Sequence, residues 1–362
     1  MSVNSVAELK QFAEVHARGL EIPEYRKLVG RIQDDGAGPS SWTGVWCAEG
    51  DRLAAQGKHI EAGRRYLMAR FPFVDSPERQ EAYEKSLASF EKWRPGKDVH
   101  RLDVRYQGHD VGCWTSGLSD TEPKPLLIVM GGHLTLKEQW APALPVFAKL
   151  GMAAVATELP QVGENEAPYD GDPGFLSAVI DAVAGRADVT RTYAIAMSFS
   201  GHLMLRCAMD DKRVRGIATV GAPLSEFFTD TVWRKELPQV TVDTLAQLTG
   251  TGMDEVADWA LSGERLAALD IPVAYVASLR DEVIPPADLT HLRRHVRQLD
   301  LLVHDDVHGS PAHGEENKVW LALSLLRMQG IRDGRTLYLN LMYRVARLRS
   351  RLTAALGAKR GS

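Results

Sequence analysis

Ser198 sits in Ala196-Met197-Ser198-Phe199-Ser200-Gly201, directly after the apolar run TYAIA (192–196) and directly before a helical pattern. Small residues stand two before and two after it. A sharp strand-to-helix turn demands that spacing, because a bulky side chain at either end would strike the backbone of a serine displayed in a strained conformation. A serine hydroxyl attacks a carbonyl only when a base takes its proton and an acid orients the base. In a nucleophile elbow of this kind the partners follow in the order serine, acid, histidine, at the ends of later strands. Asp281 lies four residues past the apolar run VAYVA (273–277) and is followed by Val283-Ile284-Pro285. The next run, LLVH (301–304), leads into Asp305-Asp306-Val307-His308-Gly309. His308, just past the strand end, is the candidate base; His313, five residues on, is the alternative; His304 falls inside the strand and reads as core. Metal-ligand types do crowd here (His304, Asp305, Asp306, His308, His313), but without a second cluster elsewhere no metal is expected.

Acyl transfer also needs donors for the developing oxyanion. The stretch VMGGHLTLKEQW follows the first long apolar run, and Gly131-Gly132 lets its backbone approach the serine. The N–H of His133 or Leu134 would then act beside that of Phe199. TELPQVGEN (157–165) places Glu158 at another strand end, where it would anchor its own loop or assist proton transfer. Gly250-Thr251-Gly252 lacks the strand context of a nucleotide loop, and no phosphate or dinucleotide fingerprint occurs, so no cofactor is expected.

Positioning these residues is the work of an α/β scaffold. Runs at 126–130, 153–157, 192–196, 216–221, 273–277 and 301–304 are continuous rather than alternating, which suits strands covered on both faces of a mostly parallel sheet with flanking helices and right-handed crossovers. The segment 100–117 alternates like an antiparallel hairpin turning at Gln107-Gly108. Three helical domains or segments flank that unit. Residues 1–97 read as a helical cap subdomain, with two amphipathic helices broken at Gly57 and a third running from the Ser76-Pro77-Glu78 cap to about Trp93. The α/β domain spans 98–330 and contains a polar, helix-prone insertion at about 223–270, expected to rise over the sheet edge as a lid. Residues 331–362 form a basic helical tail. From Arg327 on there are nine Lys or Arg against the single acid Asp333, and docking on the body or on a second copy is the expected use.

A hydrophobic content of 44%, a charged content of 25% and a net charge of −4 describe an ordinary globular chain and give no reason to expect nucleic acid. No run approaches a membrane span, and the first residues lack a secretory pattern. Cys47, Cys113 and Cys207 lack metal-like spacing and read as small buried residues in a reducing cytoplasm. The expected partners are a small-molecule substrate and, through the tail, a second subunit in a homodimer.

From about Trp42 to Arg327 the chain resembles the fermentation–respiration switch protein-like group of α/β-hydrolases, which includes dihydroxypseudooxynicotine hydrolase and fungal hydrolases that shorten pigment polyketides. The likeness rests on RRYLMA, GGHLTLKEQW, TELPQVGE, AIAMSFSGHLMLRCA and LRDEVIPP. It implies the α/β-hydrolase fold and triad roles for Ser198, Asp281 and His308, with Gly131 to Leu134 and Phe199 around the oxyanion. It further implies cleavage of a carbon–carbon bond beside a ketone; the same machinery would cleave an ester or thioester. Two other readings are a base-catalysed lyase or cyclase reaction without an acyl-enzyme, and a non-catalytic binding scaffold. The chain departs from the group at His133-Leu134, where relatives tend to carry a pair that includes an acid, and at Ala196 and Ser200, where they often carry glycine.

Overall fold

The computed structural model describes residues 5–358; the first four and last four residues of the cap and tail segments lie outside that range. Among the described residues eight strands form one sheet: β1 (His100–Tyr106), β2 (His109–Ser116), β3 (Lys124–Met130), β4 (Ala153–Thr157), β5 (Ala187–Met197), β6 (Val214–Val220), β7 (Val273–Ser278) and β8 (Leu299–His304). Their spatial order is β1-β2-β4-β3-β5-β6-β7-β8. β1 and β2 pair antiparallel through Tyr106↔His109, with Gln107 (φ 49°) and Gly108 (φ 87°) supplying the two left-handed residues of a tight hairpin turn. β2 runs antiparallel to β4, and the pairs from β4 onward are parallel.

The strand sequences explain the layering. Along β3, Leu126, Ile128 and Met130 join the core on one face, while Leu127 and Val129 join the core on the other. Side chains alternate across a strand, so a run buried on both faces must be apolar throughout. The first face packs against Leu9, Phe12, Trp42 and Trp46 from the N-terminal helices and Phe227 and Phe228 from the insertion. The second carries Trp114, Trp320 and Leu325. β5 starts five residues earlier than its apolar run, because Asp188 to Arg191 are partly exposed and a register shift at Pro125/Leu126 admits them. A periodicity rule sees only the buried part of such a strand.

Helices precede the sheet at Val6–Gly19, Tyr25–Val29, Trp42–Ala55, His59–Ala69 and Pro77–Trp93. Gly57 (φ 72°) breaks the second pair, and Ser76 Oγ accepts from Arg79 N at 3.3 Å as an N-cap. Between β6 and β7 the chain makes helices Glu226–Thr229, Trp233–Glu236, Gln239–Thr249 and Gly263–Ala268. A final helix, Gly334–Ala358, follows Gly314–Met328. Among the described residues no helix is long and apolar enough to cross a membrane.

The sheet order reverses between β3, which leads out to β4 on one side, and β5, which leads to β6 on the other. Such a switch point opens a crevice at the carboxyl ends of the strands. Met130 of β3 pairs with Ala196 of β5, so Gly131-Gly132 and Ser198 leave the sheet side by side.

Candidate active site

Ser198 adopts φ 54°, ψ −124°, between β5 and the helix Phe199–Asp210. This is a sparsely populated conformation for a residue with a Cβ, and the surroundings must hold it. They do so through Ser198 N donating to Val220 O at 2.8 Å and Gly201 N donating to Ser198 O at 2.9 Å. A Cβ on Gly201 would overlap Thr219 Oγ1 and stand 2.9 Å from Ala222 Cβ, so the helix can start this close to β6 only with glycine there. Ser200 is fully buried and its hydroxyl donates to Met197 O at 2.8 Å, which satisfies this buried polar atom.

Ser198 Oγ lies 3.3 Å from His308 Nε2. His308 Nδ1 lies 2.9 and 3.0 Å from the two oxygens of Asp281. With Nδ1 protonated toward the carboxylate, Nε2 is left to accept the serine proton. Asp281 is fixed in turn, since its Oδ1 accepts from Val283 N at 2.9 Å and Ile284 N at 2.8 Å. Glu282 Oε2 accepts the backbone N–H of His308 at 2.9 Å. Burial works against the imidazolium, but the Asp281 charge, its hydrogen bond and the Glu282 charge outweigh it, and the net shift of His308 is upward from 6.5. Gly221 (φ 59°) closes the arrangement: a Cβ there would stand 2.8 Å from His308 Cε1.

Across the crevice, a Cβ on Gly132 would be 3.3 Å from Ser198 Cβ, a tight contact that glycine relieves. Thr135 turns the loop by donating to Gly132 O from both its N–H (3.2 Å) and its hydroxyl (2.9 Å). On Gly131 a Cβ would overlap Thr135 Oγ1. His133 and Leu134 are thus the central residues of a tight turn facing Ser198. Phe199 opens its helix, so its N–H has no intrahelical acceptor. The His133 ring lies over Phe199 at 3.9 Å between centroids, its Nε2 is 2.7 Å from Tyr169 Oη, and burial holds it down to about 3.

Two sequence candidates are placed elsewhere. Glu158 is turned into its own loop. Oε1 accepts from Lys137 Nζ at 3.0 Å and Glu164 N at 2.7 Å, and Oε2 accepts from Lys137 N at 2.9 Å. Lys137 and Glu158 are both buried, and a Cβ on Gly163 would overlap the carboxylate. Burial raises the Glu158 pKa against the opposing pull of Lys137. Its contacts are those of an anchor. His313 points its Nδ1 at Asp306 Oδ2, 3.1 Å away, and stacks on His304 at 4.0 Å and 14°. His304 is buried and bonded to Asn317 Oδ1 at 2.8 Å. His304, His313 and Glu316 could each offer a donor atom within 4.8 Å of the others. Imidazole lone pairs lie in the ring plane, however, and two stacked rings direct them side by side rather than at a common ion.

Residues beyond the sequence reading also border the site. Gly221 had a signal, as a glycine ending a buried strand before Ala222-Pro223. Tyr169, Glu282, His16 and Arg70 had none; the last two come from helices of ordinary amphipathic pattern. His16 reaches the site because its helix packs on the His308 loop. Val15 Cγ1 would be 3.1 Å from a Cβ on Gly309, and Arg18 Nη1 donates to Pro311 O at 3.4 Å.

The family model described as Esterase FrsA-like matches residues 41–273, a range that includes Ser198 but ends before Asp281 and His308. Esterase FrsA of Vibrio cholerae serotype O1 is 27% identical over 175 residues, which are 47% of this chain and 42% of that protein. Esterase FrsA of Vibrio vulnificus is 23% identical over 193 residues, 52% of this chain and 46% of the relative. The chain therefore matches less than half the length of these curated relatives. Among solved structures, wild-type AbyA5 is 48% identical with a TM-score of 0.90, covering 94% of this chain and 99% of that one. The 2,6-dihydroxy-pseudo-oxynicotine hydrolase is 16% identical with a TM-score of 0.66, covering 91% of this chain and 94% of that one, a likeness of fold alone. The fold is that of the α/β-hydrolases.

Proposed function

Because the chain belongs to the Esterase FrsA-like family, we propose that it is a serine hydrolase acting through Ser198, His308 and Asp281 on a medium-sized, carbonyl-containing small molecule. The observation that carries this reading is the hydrogen-bonded line from Ser198 Oγ through both His308 nitrogens to the Asp281 carboxylate. In the reaction, His308 Nε2 takes the Ser198 proton while Oγ bonds to the carbonyl carbon. The oxyanion is received by the N–H of Phe199 and that of His133 or Leu134. Collapse breaks the bond to the leaving group, which takes the proton from His308, and a water repeats the sequence to free the acid. An alkoxide leaving group makes this an ester hydrolysis; an enolate carbon makes it cleavage of a β-ketone. The name carried by the curated relatives supports the first, and the resemblance to the polyketide-shortening and pseudooxynicotine-cleaving hydrolases supports the second.

Enclosure supports a small substrate. Phe199 is covered by Phe227 and Phe228 of the insertion at 5.1 and 6.3 Å, and the first helix covers the His308 loop. A pocket walled from two sides suits a compact, partly aromatic molecule rather than a polymer.

One observation favours a second reading. The His308–Asp281 contact is 2.9 Å and the Ser198–His308 contact 3.3 Å, so the imidazole is held by its acid independently of the serine. His308 could then remove a proton beside a carbonyl and expel a β-substituent, a lyase reaction without an acyl-enzyme. Intact mass after a fluorophosphonate probe separates the two. Single labelling that disappears in Ser198→Ala and His308→Ala supports the hydrolase. An unlabelled parent whose turnover survives Ser198→Ala supports the lyase.

A further inference from the structure

Arg70 closes the helix His59–Ala69 and is 5% exposed. A buried guanidinium is costly unless a carboxylate and hydrogen bonds compensate it. Among the described residues no carboxylate lies within ion-pair distance of Arg70, and its buried Nε has no hydrogen-bond partner. Nη2 donates to Leu134 O at 2.6 Å. The acids whose charge it feels, Glu158 and Glu138, share the single ammonium of Lys137 at 3.0 Å each and act on the guanidinium only from beyond ion-pair distance. The guanidinium is thus held against the loop that borders Ser198. Leu134 is two residues from Gly132, which puts Arg70 about 10 Å or less along the backbone from the nucleophile's edge of the crevice.

His16 is the group that feels the charges of both Arg70 and His308. His16 is partly buried, with its ring 4.9 Å from that of Phe71. Burial first, then the positive fields of Arg70 and His308, hold His16 down to about 3, so it stays neutral. A fixed positive fork beside a neutral imidazole, held on a loop that borders a nucleophile, suits a delocalised oxyanion.

We infer that Arg70 is an anion-recognition residue of the Ser198 pocket, and that the substrate is an acidic carbonyl compound presenting a carboxylate or ionised enol to its guanidinium. This assignment rests on the proposed function for the place of the reacting carbonyl, but the anion site is measurable without turnover. The test uses the full chain carrying Ser198→Ala, titrated by calorimetry with two anion–neutral pairs: the enolate of 1,3-cyclohexanedione against its methyl enol ether, and benzoate against methyl benzoate. At least one anion should bind more tightly than its neutral partner, and which one does so distinguishes enolate from carboxylate. Adding Arg70→Gln should weaken that anion about tenfold or more and leave the neutral partner within about twofold; Arg70→Lys should fall between, because an ammonium keeps the charge without the fork. Equal binding of anion and neutral partner, binding of neither, or equal loss of both in Arg70→Gln would overturn the assignment. So would a lowered unfolding temperature in Arg70→Gln with the anion preference intact, which is the signature of a purely structural arginine. Fluorophosphonate labelling of the chain with Ser198 restored is read separately. An unlabelled serine with Arg70-dependent anion binding removes the acyl chemistry and leaves the anion site; a labelled serine without anion preference does the reverse.

Discussion

His308 carries the pH dependence of the proposed reaction. Its folded pKa is raised above 6.5, with burial opposing and Asp281 and Glu282 prevailing. A protonated imidazole cannot accept the Ser198 proton, so kcat/KM should fall as pH drops through a midpoint above 6.5. Asp281→Asn should move that midpoint down and reduce kcat by about a thousandfold or more, because the ring loses both its charge partner and its tautomer. The linked stability has the opposite sense. A raised folded pKa stabilises the fold fully below the unfolded value, and that contribution is lost as pH rises through the folded one. A pH–rate profile of parent and variant checks the first claim, and a pH series of unfolding midpoints checks the second. A midpoint that does not move in Asp281→Asn would show that His308 does not titrate in the rate.

At the scale of elements, the strand ends aim the side chains, and glycines decide how closely they meet. Gly221→Ala would meet His308 Cε1 at 2.8 Å from a backbone with φ 59°. The left-handed conformation alone costs an alanine about 1 kcal/mol, and the ring cannot retreat without leaving Asp281. Activity should fall about tenfold or more while the sheet stays folded, as circular dichroism would show. Gly201→Ala faces backbone and core instead, so it should cost about 1–3 kcal/mol of stability by overpacking, read as a lowered denaturation midpoint. This contrast also marks what the sequence made legible. Ser198, Asp281 and His308 were visible because each follows a continuous apolar run, and strands buried on both faces announce their own ends. Gly131 and Gly132 were visible as a pair after such a run. The inward start of β5 at Ala187 was not, since its first residues are half solvated. Nor were His16 and Arg70, because a helical residue reaches a site through tertiary packing that amphipathic periodicity does not encode. The choice between His308 and His313 needed three dimensions too: both follow β8 closely, and only the loop's path separates the ring facing Ser198 from the ring facing Asp306.

Across the whole molecule, the two covers of the crevice come from opposite sides of the sheet sequence and are tied to each other. Glu8 of the first helix accepts from Val240 N at 3.0 Å and from Gln239 N at 3.4 Å. A carboxylate from one segment thus caps the helix Gln239–Thr249 of another, whose preceding residue, Pro238, offers no side-chain cap. The same first helix touches the His308 loop through Val15 and Arg18 and precedes the range matched by the family model, which begins at residue 41. Enclosure and the placement of His308 are therefore coupled through a segment that the family match does not include. Glu8→Ala should cost about 0.5–2 kcal/mol of stability, the usual loss on removing a helix cap. If the coupling is mechanical, it should also quicken limited proteolysis within 226–268 and raise KM for bulky esters more than for acetyl esters. Glu8→Gln, which keeps an acceptor but not the charge, should recover most of the proteolytic resistance. A variant that loses stability while its digestion pattern and ester selectivity stay those of the parent would mean that the first helix braces the fold without governing the cover.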